Sequence, residues 1–216
     1  NVFVTHNENS KEIIFALPFD ETYVTDWNAF DFHMYSLQPE NQATYNFKAT
    51  PWGGACVIPQ YIESFDPDDQ RLKDDFISGP QYDKNGGVLY CTMGNMKGKP
   101  LDYVNKVNSI DDSDENQGWR WGKFEYAEGI TNRLSNDFPL LRYADVYLMK
   151  AEALLRTGHA DEAAELVTKV RERNFTEHPA KAIVTGEQLQ ETSCYDYGRR
   201  DNVKSTHDHA IIQYLS

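Results

Sequence analysis

The sequence predicts a mainly α protein with one helical hairpin, long aromatic-rich loops and a small β-hairpin. Three observations carry that expectation. Between Asn136 and Asn174 apolar residues recur at three- and four-residue steps, the spacing that gathers them on one face of a 3.6-residue helix. Between Thr22 and Thr50 the chain is rich in rings but keeps no sustained period. Asn85-Gly86, flanked by Tyr82 and Val88-Leu89-Tyr90, is a strong hairpin-turn signal.

In the first helix Leu140, Leu141, Ala144, Tyr147, Leu148, Ala151, Leu154 and Leu155 form the apolar stripe, with Arg142, Asp145, Lys150, Glu152 and Arg156 between them. Pro139 falls in the expected first turn, where N–H groups lack helical partners. Gly158 is the expected stop, because it adopts the left-handed conformation that a Cβ resists. A second helix is expected from about Ala160 to about Arg173, with Ala160, Ala163, Ala164, Val167 and Val170 facing back. Small residues at 151, 153, 160, 163 and 164 allow close approach, which is the grammar of a tetratricopeptide-type unit.

Taken in order, Lys11 to Phe19 is a β-branched and aromatic run ended by Pro18, expected as a buried strand. Tyr23, Trp27, Phe30, Phe32, Tyr35, Tyr45 and Phe47 then crowd one irregular stretch. Such rings either anchor a long loop to the body or form a platform for flat, partly apolar ligands. Pro51-Trp52-Gly53-Gly54 is turn chemistry that carries an indole to an exposed edge, so Trp52 is the first candidate for a stacking residue. Pro59 to Phe65 is expected as a short helix.

Asp66, Asp68 and Asp69 offer the oxygen ligands of a hard-cation loop, which raises a structural calcium site as an alternative. The EF-hand pattern fails, because Arg71 and Ile77 stand where its Gly and Glu belong. Helix or turn caps, with one carboxylate holding Arg71, are the preferred expectation. Gly118 to Tyr126 alternates as an extended segment, with Trp119, Trp121 and Lys123 on one side and Arg120, Phe124 and Tyr126 on the other. Thr185 and Gln188 have capping-box spacing.

A net charge of −13 excludes nucleic acid and anionic membrane surfaces as expected partners. Cys56, Cys91 and Cys194 lack zinc-site or disulfide spacing, so no metal centre or cofactor is expected from them. G-x-S-x-G, H-E-x-x-H, a phosphate-binding glycine loop and a dinucleotide fingerprint are all absent from the sequence. His207 and His209 are expected as an exposed pair in a polar tail. No apolar run reaches the ~18 residues that span a bilayer.

The segment NDFPLLRYADVYLMKAEALLRTGHADEAAELVTKVRERN resembles the hallmark of the SusD/RagB family through Arg142, Tyr143, Ala144, Asp145, Ala151, Glu152, Ala153, Val170, Arg171 and Arg173. KEIIFALPFD, PWGGACVIPQYIESFDPDDQRL and WGKFEY extend the resemblance from Lys11 to about Gly198. It implies a SusD-like fold, noncatalytic binding of oligo- or polysaccharide, possible starch-type α-glucan specificity, a SusC-type TonB-dependent transporter as partner, and a cell-surface position on the outer membrane through an N-terminal lipid anchor. The anchoring Cys, the N-terminal helical pairs and the closing segment of the family pattern are not in this sequence, so the chain is expected to be the later part of such a protein, with some of the binding site elsewhere.

The expected organisation is one domain portion: 1–135 loop-rich and ligand-binding, 136–174 the hairpin, and 175–216 a truncated C-terminal extension. An arc of glycan-binding residues is expected at Trp27, Asn28, Tyr35 and Trp52. Pyranose C–H faces pack on such rings while hydroxyls bond Asn, Asp, Arg and Lys. A tetratricopeptide-type peptide-binding module and a carbohydrate-active enzyme are the alternatives; the first calls for further repeats and the second for turnover.

Overall fold

The computed structural model describes residues 2–24, 28–109 and 113–191. Regular structure is helix-rich with small sheets. The order is β1 (Ile13–Leu17), α1 (Phe32–Ser36), α2 (Gln42–Tyr45), α3 (Pro59–Glu63), α4 (Arg71–Asp74), β2 (Phe76–Ile77), β3 (Gly79–Pro80), β4 (Asp102–Tyr103), β5 (Arg120–Trp121), β6 (Phe138–Arg142), α5 (Tyr143–Arg156) and α6 (Ala160–Arg171). The strands form three antiparallel pairs, β1 with β6, β2 with β5 and β3 with β4.

The hairpin begins later than the apolar spacing predicts. Pro139, Leu140 and Leu141 lie on β6, which pairs with β1 in the register Phe15 to Leu141, Ala16 to Pro139 and Leu17 to Phe138. A strand more than a hundred residues upstream supplies backbone partners that the local period cannot reveal. The switch to helix is fixed at Arg142, whose N–H donates to the Asp145 carboxylate at 2.7 Å, the reciprocal half of a capping box. The side chains of β1 are also less buried than predicted: Ile14, Phe15 and Leu17 are exposed.

Helix α5 ends as Gly158 requires. Gly158 has φ +87°, its N–H donates to Leu155, and the His159 N–H donates back to Leu154, the two bonds of a Schellman motif. Asp161 and Glu162 open α6, where acidic side chains oppose the positive end of the helix dipole. Ala151, Ala163 and Ala164 are buried between the helices, as predicted, whereas Ala153 is exposed and takes no part in the contact. The hairpin is tied to the body by Gln70 N–H to the Asn174 carbonyl and by Arg173 to Glu12 at 2.9 Å.

Rings make the main core. Phe30, Leu37, Phe47, Tyr126, Ile130 and Leu134 form one buried cluster, and Phe30 meets Phe124 and Phe138 edge to face. Burying each such side chain contributes ~1.5–3 kcal/mol. The stretch expected to be irregular between Thr22 and Thr50 thus holds α1 and α2, and Phe30, Tyr45 and Phe47 serve as its anchors. A second cluster of Val57, Ile62 and Phe76 takes Trp119 and Trp121 against it. A third joins Cys91, Leu101 and Tyr103.

The predicted turn at Asn85-Gly86 is present. Gly86 has φ +86°, Asp83 accepts the N–H groups of Asn85 and Gly87, and Tyr82 bridges Val88. Thr185 and Gln188 bond reciprocally at the start of a 3₁₀ turn, also as predicted. Cys56 and Cys91 are free thiols; Cys194, His207 and His209 lie outside the described residues.

Candidate functional site

Helix α1 and the Trp52 turn are welded by backbone bonds. The Met34 carbonyl accepts the N–H groups of Trp52 at 2.7 Å and Gly53 at 3.2 Å, and the Tyr35 carbonyl accepts that of Ala55 at 2.8 Å. Gly53 and Gly54 hold φ values of +74° and +114°, conformations that L side chains rarely adopt. The chain therefore turns sharply enough to set Trp52 beside Tyr35. Their ring centroids are 4.8 Å apart at an interplanar angle of 76°. Both stay half in solvent, Tyr35 at 52% and Trp52 at 51% exposure. Such a pair offers flat apolar surface together with an indole N–H and a phenol hydroxyl.

The other two predicted residues are placed differently. Asn28 is exposed, four residues before α1, and Trp27 lies outside the described residues. The pair Tyr35–Trp52 is the portion of the expected arc that the structure brings together.

A buried polar network supports the turn, and the sequence gives no sign of it. A Cβ on Gly53 would lie 2.7 Å from Gln38 Oε1. Gln38 is itself buried, donates from Nε2 to the Glu115 carbonyl at 3.1 Å and donates from its backbone N–H to the Tyr103 hydroxyl oxygen at 3.2 Å. Arg120, almost wholly buried, donates to the carbonyls of Glu115 at 2.7 Å and Ala55 at 3.3 Å and lies 4.7 Å over the Tyr103 ring. Burial pushes the Tyr103 hydroxyl up to about 12, so it remains a donor at neutral pH. It donates to Asn41 Oδ1. Removing any one member leaves buried partners unsatisfied, which costs about 1–3 kcal/mol per group.

His33 lies on the opposite side of α1 and is fully buried. Its Nε2 is 3.1 Å from the Thr131 carbonyl, and its ring meets Phe47 edge-on at 5.3 Å. Burial lowers its pKa from the ordinary value of 6.5, against smaller opposing effects of the Thr131 bond and Asp31.

The carboxylates weighed as a calcium loop are taken up by cations of the chain. Asp69 grips Arg71, with Nε to Oδ1 at 2.9 Å, while Lys181 bonds Asp66 at 2.8 Å and Asp68 at 2.6 Å. The Lys181 ammonium holds Asp66 below the usual carboxylate range. Among the described residues no group of three or more His, Cys, Asp or Glu side chains is arranged to hold a metal ion. The cap-and-Arg71 expectation fits this geometry. Trp119 and Trp121, equally aromatic in sequence, are partly buried against Phe76. Among the described residues no helix is long and apolar enough to cross a membrane.

Comparison with known proteins gives the same fold. The chain superposes on a SusD superfamily protein from Bacteroides vulgatus with a TM-score of 0.50 at 20% identity, covering 84% of this chain and 37% of that one. It superposes on NanU of B. fragilis with a TM-score of 0.50 at 18% identity, covering 93% and 38%. Surface glycan-binding protein A from Bacteroides thetaiotaomicron gives 0.50 at 17% identity, covering 97% and 51%. The chain thus spans about a third to a half of the length of these structures. A search of curated protein sequences gives no match. The sequence model of the SusD family matches residues 11–191, and the chain belongs to that family.

Proposed function

We propose that this chain is part of a noncatalytic protein that binds oligo- or polysaccharide at the bacterial cell surface and passes it to a SusC-type TonB-dependent transporter. The observation that carries the reading is the half-exposed Tyr35–Trp52 pair, held in an edge geometry by the Gly53 turn. A pyranose presents an apolar C–H face to such rings and hydroxyls to their polar tips. Membership of the SusD family and the fold shared with a protein titled surface glycan-binding protein A support the same ligand class. The charge of −13 favours neutral over anionic glycans.

Within this reading the starting ligand for testing is a starch-type α-glucan. Asn28, and Trp27 outside the described residues, are the further glycan contacts of this reading. The α5–α6 hairpin serves as a tetratricopeptide-type scaffold whose outer side packs on the transporter, and an N-terminal lipid anchor holds the protein on the outer membrane. Calorimetric titration of the protein with α-glucans, fructans and host-type glycans, with product analysis, tests it. Saturable binding without cleavage is the expected result; turnover would contradict it.

A further inference from the structure

A cleft of about 350 Å³ opens between the end of α3, the start of α4 and the end of α6. Its volume lies in the usual range for small-molecule pockets, ~300–1,000 Å³. Tyr61 and Phe65 form an aromatic corner, with centroids 5.3 Å apart and rings at 88°. Arg71 lies 5.0 Å over the Phe65 ring while its Nε–H donates to Asp69. The Asp69 side chain is only 2% exposed and accepts from both Nε and Nη2 of Arg71, whereas the Arg71 side chain is 42% exposed, so Nη1 is the end of the fork left for the cleft it lines. Across the cleft Arg171 stacks 4.8 Å over Phe175 and is fixed by the carbonyls of Lys181 and Ala182.

The chemistry of this cleft is specific. Its lining cations, Arg71 and Arg171, stand with Asp66 and Asp69, and Lys181, which pairs with Asp66 at the rim, is matched by Asp68, so the cluster as a whole carries no net charge. An anion meets two carboxylates and a cation meets two guanidiniums, so a neutral ligand has the least charge to oppose. Flat aromatic walls beside Arg71 and the partly exposed Asp66 suit a ring that is apolar on its face and carries adjacent hydroxyls on its edge: one hydroxyl accepts from Arg71 and its neighbour donates to the Asp66 carboxylate, since both Asp69 oxygens are taken by Arg71. Capping of α4 accounts for the Asp69–Arg71 pair, but it does not account for a concave space walled by half-buried rings next to it.

We propose that this cleft is a second saccharide site, shaped for a single neutral pyranose and built from residues other than the Tyr35–Trp52 pair. The ligand class rests on the glycan-binding reading above. Two-dimensional NMR of the protein and of its Trp52→Ala variant, titrated with glucose, galactose and mannose and with glucuronate and glucosamine as charged counterparts, tests it. Neutral hexoses are expected to shift the Arg71 Nε–H and the Ser64 and Phe65 amides in both proteins. Exposed Ser64 lines the cleft, so Ser64→Trp fills the space without entering the core; this variant, and Tyr61→Ala, are expected to weaken binding by about tenfold or more, the loss of a stacking wall. Shifts confined to the Trp52 indole overturn the second site and leave the first standing. Shifts confined to the Arg71 set do the reverse, and no shift with any neutral hexose overturns the cleft as a saccharide site. Tighter binding of either charged sugar, or unchanged binding in Ser64→Trp, also overturns the proposal.

Discussion

Trp52 stands at 76° to Tyr35 with their ring centroids 4.8 Å apart, and both rings remain half in solvent. An edge-to-face pair gains from the opposed charge of ring edge and ring face, about 0.5–1.5 kcal/mol beyond area burial. Each ring thereby restricts the other. Tyr35→Ala is expected to weaken glycan binding even where a sugar touches only the indole, because Trp52 loses the partner that sets its tilt. Titration of the two single variants and the double variant checks this. The double variant should lose less than the sum of the two single losses.

Gly53→Ala should destabilise the fold more than Gly54→Ala. Both positions have positive φ, which alone costs a Cβ-bearing residue about 1–2 kcal/mol. At Gly53 the added Cβ also meets Gln38 Oε1 at 2.7 Å, whereas at Gly54 nothing lies within 4 Å. Thermal melts of the two variants give the comparison directly, and equal melting temperatures would mean that Gln38 moves aside freely.

His33 makes stability depend on pH in one direction. Its folded pKa is lowered by burial, so the unfolded chain binds the proton more readily. The stability is fully present above the ordinary value of 6.5 and is lost as pH falls through the lowered folded value. Melting temperature should therefore drop as the pH falls below 6.5, and His33→Gln should flatten that slope. Met34 and Tyr35 share α1 with His33, so weaker glycan binding should accompany the drop.

Ala163 is fully buried where α6 meets α5. Ala163→Leu adds three carbons to a closed contact and should cost about 1–3 kcal/mol, read as a lowered denaturation midpoint. Ala153→Leu, on an exposed position of α5, should change stability by less than about 0.5 kcal/mol.

The helical hairpin was legible because its signal is local. The 3.6-residue period over Ala144 to Leu155 and the glycine at 158 need no distant partner to be interpreted. Leu140 and Leu141 fit the same period, yet β1 draws them into a strand, and that pairing spans more than a hundred residues. Trp52 was legible as exposed through its Pro and Gly neighbours. Trp119 and Trp121 differ from it only by tertiary context, since β5 pairs Trp121 with Phe76 on β2 and Trp119 bridges Val57 beside the same cluster. The support beneath the candidate site was invisible for the same reason. Gln38, Tyr103, Glu115 and Arg120 carry no shared spacing, and only folding brings them together.

The most direct test is calorimetric titration of the protein and its Trp52→Ala variant with the glycan that binds best in the panel. Loss of a half-exposed stacking ring of this size should cost about 1–3 kcal/mol of binding, roughly 5- to 150-fold in affinity, with the fold retained. Unchanged affinity in Trp52→Ala would remove the Tyr35–Trp52 pair from the binding site and contradict the account.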